Sequence, residues 1–72
     1  MDPHFKSELA EILDLKETEI NSGLVLDESN WDSLSQVSTA ALIDEVYSKV
    51  VDAESLSSCR TIDELMRLID TC

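Results

Sequence analysis

A 72-residue chain with a single glycine (Gly23) and a single proline (Pro3) has almost none of the residues that make tight reverse turns. Strands joined by hairpins need such residues at short intervals, and no segment here sustains the apolar–polar alternation of a strand. Apolar residues return at helical spacing instead. Phe5, Leu9, Ile12 and Leu13 form one stripe, behind Asp2 as a cap and Pro3 at the first helical position. Ile62, Leu65, Met66 and Ile69 form another, behind Thr61-Ile62-Asp63-Glu64. That tetrad reads as a capping box, in which Thr61 and Glu64 satisfy each other's free backbone donors. The expected fold is all-α: a small bundle of three main helices over about 3–15, 33–48 and 61–70, plus a short helix over 53–57. Residues 1–72 are read as one domain, since a chain this short has no room for a second core.

Residues 16–32 lose the helical period. Ser22-Gly23 interrupts them, and Leu24, Leu26 and Trp31 are spaced like anchors of an ordered loop. A loop this long in so short a chain points to function.

Five Lys+Arg against sixteen Asp+Glu give a formal net charge of -11. Binding to a nucleic-acid backbone needs clustered cations that release counterions, and this chain has none. An anionic membrane surface is disfavoured for the same reason. The partners expected are basic protein surfaces. Hydrophobic residues are 43% of the chain, so it is no disordered acidic tail. No apolar run reaches the length of a membrane span or follows a cationic leader, which argues against membrane insertion and export. Two unpaired thiols, Cys59 and Cys72, fit a reducing cytoplasm.

Catalytic and metal-binding readings find little support. His4 is alone near one end of the chain, where it reads as a solvated side chain. Cys59, beside Arg60, reads either as an activated thiol or as a small buried core residue; Cys72 reads as a frayed end. Asp44 and Glu45, like Asp63 and Glu64, are sequence neighbours that do not face one another and read as solvated charge. The stretch from Asp27 to Asp32 resembles a calcium loop but lacks its central glycine and its spaced terminal glutamate. Neither an enzyme nor a resident metal is expected.

The middle helix carries apolar residues on two sides. At about 100° per residue, Ala40, Ile43, Val46, Tyr47 and Val50 fall on one side, wide enough to be the core face. Leu34, Val37 and Ala41 fall opposite, among Ser38, Asp44, Glu45 and Ser48. A three-helix domain buries only one face of each helix, so the second strip should be exposed and ringed by carboxylates. Such a strip suits a basic partner with an apolar groove. Ser33 stands at the helix start, where free N–H groups and the positive end of the dipole would favour an attached phosphate; simple capping explains a serine there equally well.

Trp31-Asp32-Ser33-Leu34, at the head of the middle helix of a short acidic helical chain, resembles the acyl carrier protein family. The resemblance spans nearly the whole chain, and the spacing from Ser33 to Tyr47, Val51, Leu56, Cys59 and Ile62 matches the family's core positions without a gap. It implies a non-catalytic carrier. Ser33 would hold a covalent 4'-phosphopantetheine arm derived from coenzyme A, with Asp32 orienting the attachment site and the metal ion used during transfer. Leu34, Val37, Ala41, Asp44 and Glu45 would meet partner enzymes. Those partners would be a phosphopantetheinyl transferase and the enzymes that load and use acyl groups, visited by a monomeric carrier. Three departures stand out. Ser29-Asn30 replaces a common Leu-Gly, where Asn30 would preserve the turn by tolerating left-handed angles. Ser38 replaces an acidic residue and Ala41 a larger apolar one, so the docking face is reduced. A reduced face points to a dedicated fatty-acid-like, polyketide or other secondary pathway. An aminoacyl or peptidyl carrier, or an unmodified acidic adaptor, remains open at this level.

Overall fold

Among the described residues, three of the four α-helices open on an aspartate whose carboxylate accepts backbone N–H groups of the first turn, satisfying donors that have no partner within a helix. The computed structural model describes residues 2–71. Asp2 opens α1 (Pro3–Leu13), accepting from His4 N–H at 2.8 Å and Phe5 N–H at 3.2 Å. Asp32 opens α2 (Ser33–Tyr47), accepting from Ser35 N–H at 2.8 Å. Asp52 opens α3 (Ala53–Ser57) through Ser55 N–H at 2.7 Å. Thr61 opens α4 (Ile62–Thr71): its hydroxyl accepts Glu64 N–H at 3.3 Å. The return arm of that box is displaced by one residue, because Glu64 accepts the N–H of Arg60 at 2.7 Å. The protein is all-α. Among the described residues, β structure is limited to an isolated antiparallel bridge between Val25 and Thr61.

Two helices end earlier than the sequence suggests, each on a left-handed residue that is not glycine. Asp14, at φ 58 and ψ 45, closes α1 two residues before the expected Leu15. Asp14 N–H donates to Glu11 C=O and Leu15 N–H to Ala10 C=O, the paired bonds of a Schellman ending. Ser48, at φ 56 and ψ 39, closes α2 with its N–H on Asp44 C=O. This left-handed residue corrects the expected core face. Val50 lies beyond it, no longer follows the helical wheel, and is 86% exposed, while Val51 turns inward. The sole glycine, Gly23, does not use a positive φ.

The core joins Phe5, Leu9 and Leu13 of α1, Leu42 and Ile43 of α2, Leu56 of α3 and Ile62, Leu65 and Ile69 of α4. Phe5 meets Tyr47 edge-on, ring centroids 5.1 Å apart. The long loop contributes too. A 3-10 turn (Glu17–Glu19) leads into buried Ile20, and Leu26 and Trp31 are buried while Leu24 is partly covered. Backbone bonds tie the loop to the start of α4: Leu26 N–H to Arg60 C=O, Ile62 N–H to Leu24 C=O and Asp63 N–H to Ser22 C=O. The Trp31 indole donates to Leu56 C=O at 2.8 Å, fixing the loop's end to α3. No helix among the described residues is long and apolar enough to cross a membrane. Met1 and Cys72 lie outside the described residues.

Candidate functional site

The stretch that delivers the chain into α2 is held by its own side chains. Asp27 C=O accepts both Asn30 N–H and Trp31 N–H, and Asp27 Oδ1 accepts Ser29 N–H at 2.9 Å together with the Ser29 hydroxyl. These bonds hold the Asp27 carboxyl below the ordinary carboxylate range. Asn30 acts differently from expectation. It takes no left-handed angle; its side-chain oxygen accepts Asp27 N–H at 2.9 Å and its amide donates to Val25 C=O at 3.3 Å. Side-chain bonding thus replaces the backbone freedom of a glycine.

From this turn Trp31 goes inward, Asp32 caps and Ser33 stands exposed at the first position of α2. Asp32 spends its carboxylate on the backbone N–H and hydroxyl of Ser35, which lower its pKa. It therefore stays ionised beside Ser33 throughout the neutral range. Ser33 lies where unpaired N–H groups gather and the helix dipole is positive, which favours an anionic substituent.

The outward strip is where the wheel puts it. Leu34 is 75% and Val37 59% exposed, and Ala41, Asp44 and Glu45 are also exposed. All five share the α2 surface that begins at Ser33, and Ser38 beside them is half-covered. Next to Ser33 a groove of about 260 Å³ opens between the end of α1 and the first two turns of α2. Ile12, Asp14, Asn30, Leu34, Ser35 and Ser38 are among its walls.

The remaining candidates lie apart from this place. His4 is exposed in the first turn of α1. Cys59 is buried, its Sγ within 3.6 Å of Ser55 C=O, and burial together with nearby Glu64 pushes its thiol pKa up. Such a thiol is a poor nucleophile, so Cys59 belongs to the core. Asp63 pairs with Arg67 at 3.1 Å on the surface, and Glu64 serves the α4 cap. Among the described residues no group of three or more His, Cys, Asp or Glu side chains gathers to hold a metal ion.

Sequence reasoning missed the interior beneath the strip. Ser35 and Thr39 face inward, buried in line with Leu42 and Ile43. At 100° per residue both lie on the side of Ile43, but a hydroxyl side chain carries no apolar signal to mark an inward face. Ile20 was missed because a lone isoleucine in a loop carries no periodicity. Comparisons with protein families, curated proteins and solved structures give no match to this chain.

Proposed function

We propose that this chain is an acyl carrier protein whose Ser33 bears a 4'-phosphopantetheine arm. One observation carries the reading: an exposed serine opens a 15-residue helix behind an ionised aspartate cap, at the head of an exposed apolar strip flanked by carboxylates. When bound, the arm supplies a terminal thiol that holds acyl groups as thioesters. The protein's own residues do the rest. Asp32 fixes the first turn and so presents the Ser33 hydroxyl outward. The first-turn N–H groups and the helix dipole favour the phosphate attached there. Leu34, Val37 and Ala41 give each visiting enzyme a small apolar seat, and Asp44 and Glu45 orient it by charge.

The net charge of -11 suits this work. It steers the carrier onto basic enzyme surfaces quickly and lets salt loosen the encounter, as a carrier that must leave requires. The smaller strip, with Ala41 and Ser38 within it, favours partners in a dedicated pathway. The inert Cys59 thiol would not compete for acyl groups, and a reduced thiol fits a cytoplasmic setting.

The test is covalent loading. With coenzyme A, magnesium and a broad-specificity phosphopantetheinyl transferase, the Ser33 oxygen bonds the coenzyme's phosphorus as its pyrophosphate link breaks. The nucleotide leaves as 3',5'-ADP, and the hydroxyl proton passes to the transferase or solvent. Intact mass should show one arm per chain, and none in Ser33→Ala. A bare wild type leaves only an acidic helical adaptor, and loading that persists in the variant overturns Ser33 as the attachment site.

A further inference from the structure

Both sequence neighbours of Ser33, Asp32 and Leu34, are walls of the groove between the end of α1 and the start of α2. Anything bonded to Ser33 therefore leaves the helix at the rim of that groove. The most covered of its walls, Leu13 at 4% exposure, belongs to the core cluster, so the groove lies over the core rather than in it. Thr39, whose buried hydroxyl has no hydrogen-bond partner among the described residues, is not one of its walls. Ile12 is. It is the one member of the α1 stripe left half-covered, and the groove is where its apolar surface is spent.

The walls combine apolar surface on Ile12 and Leu34 with the Ser38 hydroxyl and the Asp14 carboxylate, and no cation is among them. A free anion has nothing there to hold it; an uncharged chain carrying both methyl groups and amides does. A phosphopantetheine arm keeps its charge at the phosphate, on Ser33 itself. Beyond the phosphate it is neutral, with a methyl pair, a hydroxyl, amides and a terminal thiol. We propose that this neutral part of the arm rests in the surface groove between α1 and α2 when no partner is docked. Ile12 and Leu34 contact its methyl pair, Ser38 donates to an amide carbonyl, and Asp14 accepts an amide N–H. The inference rests on the carrier reading and assigns the arm its resting place. Tethering supplies an effective concentration on the order of millimolar, so contacts too weak to hold a free ligand suffice. Weak holding is also required, because Leu34 belongs to the strip that partners must reach.

Wild type, Ile12→Ala and Val37→Ala are loaded at Ser33 from isotope-labelled coenzyme A, and NMR cross-peaks between the arm and the protein are recorded. In the wild type the arm's methyl groups should show peaks to Ile12 as well as Leu34. In Ile12→Ala the peaks to Leu34 and Ser38 should weaken by roughly three- to tenfold, the effect of losing one or two methylenes of contact. Val37, exposed outside the groove, should leave them unchanged when cut to alanine. A loaded wild type without peaks to Ile12, or with peaks to core residues such as Leu9 and Ile43 instead, overturns the inference. So do Leu34 and Ser38 peaks that keep full strength in Ile12→Ala. The wild-type spectrum decides alone if that variant does not fold. If Ser33 takes no arm, it is the carrier reading that fails, a result read by mass before any spectrum is taken.

Discussion

In α4 the inward residues Ile62, Leu65 and Ile69 are apolar and buried, while Glu64, Arg67 and Asp70 are exposed. In α2 the arrangement is mixed: Ser35 and Thr39 are buried beside Leu42 and Ile43, while Leu34, Val37 and Ala41 are exposed. Both helices belong to one small core, so the solvent is the same and only the task differs. α4 follows the pattern that maximises buried apolar area. α2 departs from it in both directions, inward with hydroxyls and outward with aliphatics. Stability does not account for either departure, and departures from local rules concentrate where function lies. The contrast is the one the proposed carrier role calls for, with α2 as the working helix and α4 as support.

The largest effect should come from reversing the two faces of α2. Ile43→Asp places an unpaired carboxylate where the side chain is wholly buried, at a cost of about 3–5 kcal/mol. A core of this size supplies little more than that, so the variant should be unfolded by circular dichroism at room temperature. Val37→Asp adds the same charge to the exposed strip and should shift stability by less than about 0.5 kcal/mol. Its defect should appear in work with partner enzymes. Matching denaturation curves for the two variants would erase the distinction between the faces.

How much of this was legible in the sequence depends on what each residue needed as context. The caps Asp2 and Asp32 act on donors two or three residues away, so their meaning is local and could be read directly; the equally local cap Asp52 went unread. The stripes of α1 and α4 repeat at a fixed period, and all of their members except the half-covered Ile12 and Met66 proved buried. The exposed strip on α2 followed from the same geometry. What escaped were consequences of chain direction and three-dimensional neighbourhood. Asp14 and Ser48 stop their helices in a conformation that aspartate and serine rarely advertise, and Val50 was misplaced as a result. The groove beside Ser33 needs the end of α1 to meet the start of α2, and no spacing within either helix reports that meeting. Thr39 was visible as a letter, but its lack of a partner is a fact of packing.

A second comparison concerns how α2 and α4 end. α2 closes on its own backbone through Ser48, whereas α4 borrows: the Lys49 ammonium, just past the end of α2, donates to Ile69 C=O at 2.8 Å. A cation on the carbonyl end of a helix also opposes the negative pole of its dipole. Lys49→Met keeps most of the aliphatic stem and removes the donor, and should cost about 1 kcal/mol, read as a lower urea midpoint at unchanged slope. Amide exchange should speed up in the last turn of α4 more than in α2. Equal acceleration in both would mean that Lys49 supports the core generally rather than the end of one helix.

The smallest effect separates the cap of α3 from the overall charge. Asp52 is held below its ordinary pKa of 3.8, chiefly by the Ser55 N–H and then by the Ser55 hydroxyl. The folded state therefore binds this proton more weakly than the unfolded chain does. A depressed carboxylate adds stability above its unfolded pKa and loses it as pH falls through the lower, folded value. Acidification also relieves repulsion among the other carboxylates, so the wild-type curve alone mixes two opposing trends. The difference between wild type and Asp52→Asn removes the shared part. That difference should be flat above about pH 5 and move against the wild type as pH drops below 3.8. Urea midpoints taken from pH 7 downward measure it. A difference that stays constant to the lowest pH would mean that the carboxylate holds no proton-sensitive bond in the folded protein, and that α3 starts where it does because of its packing rather than its cap.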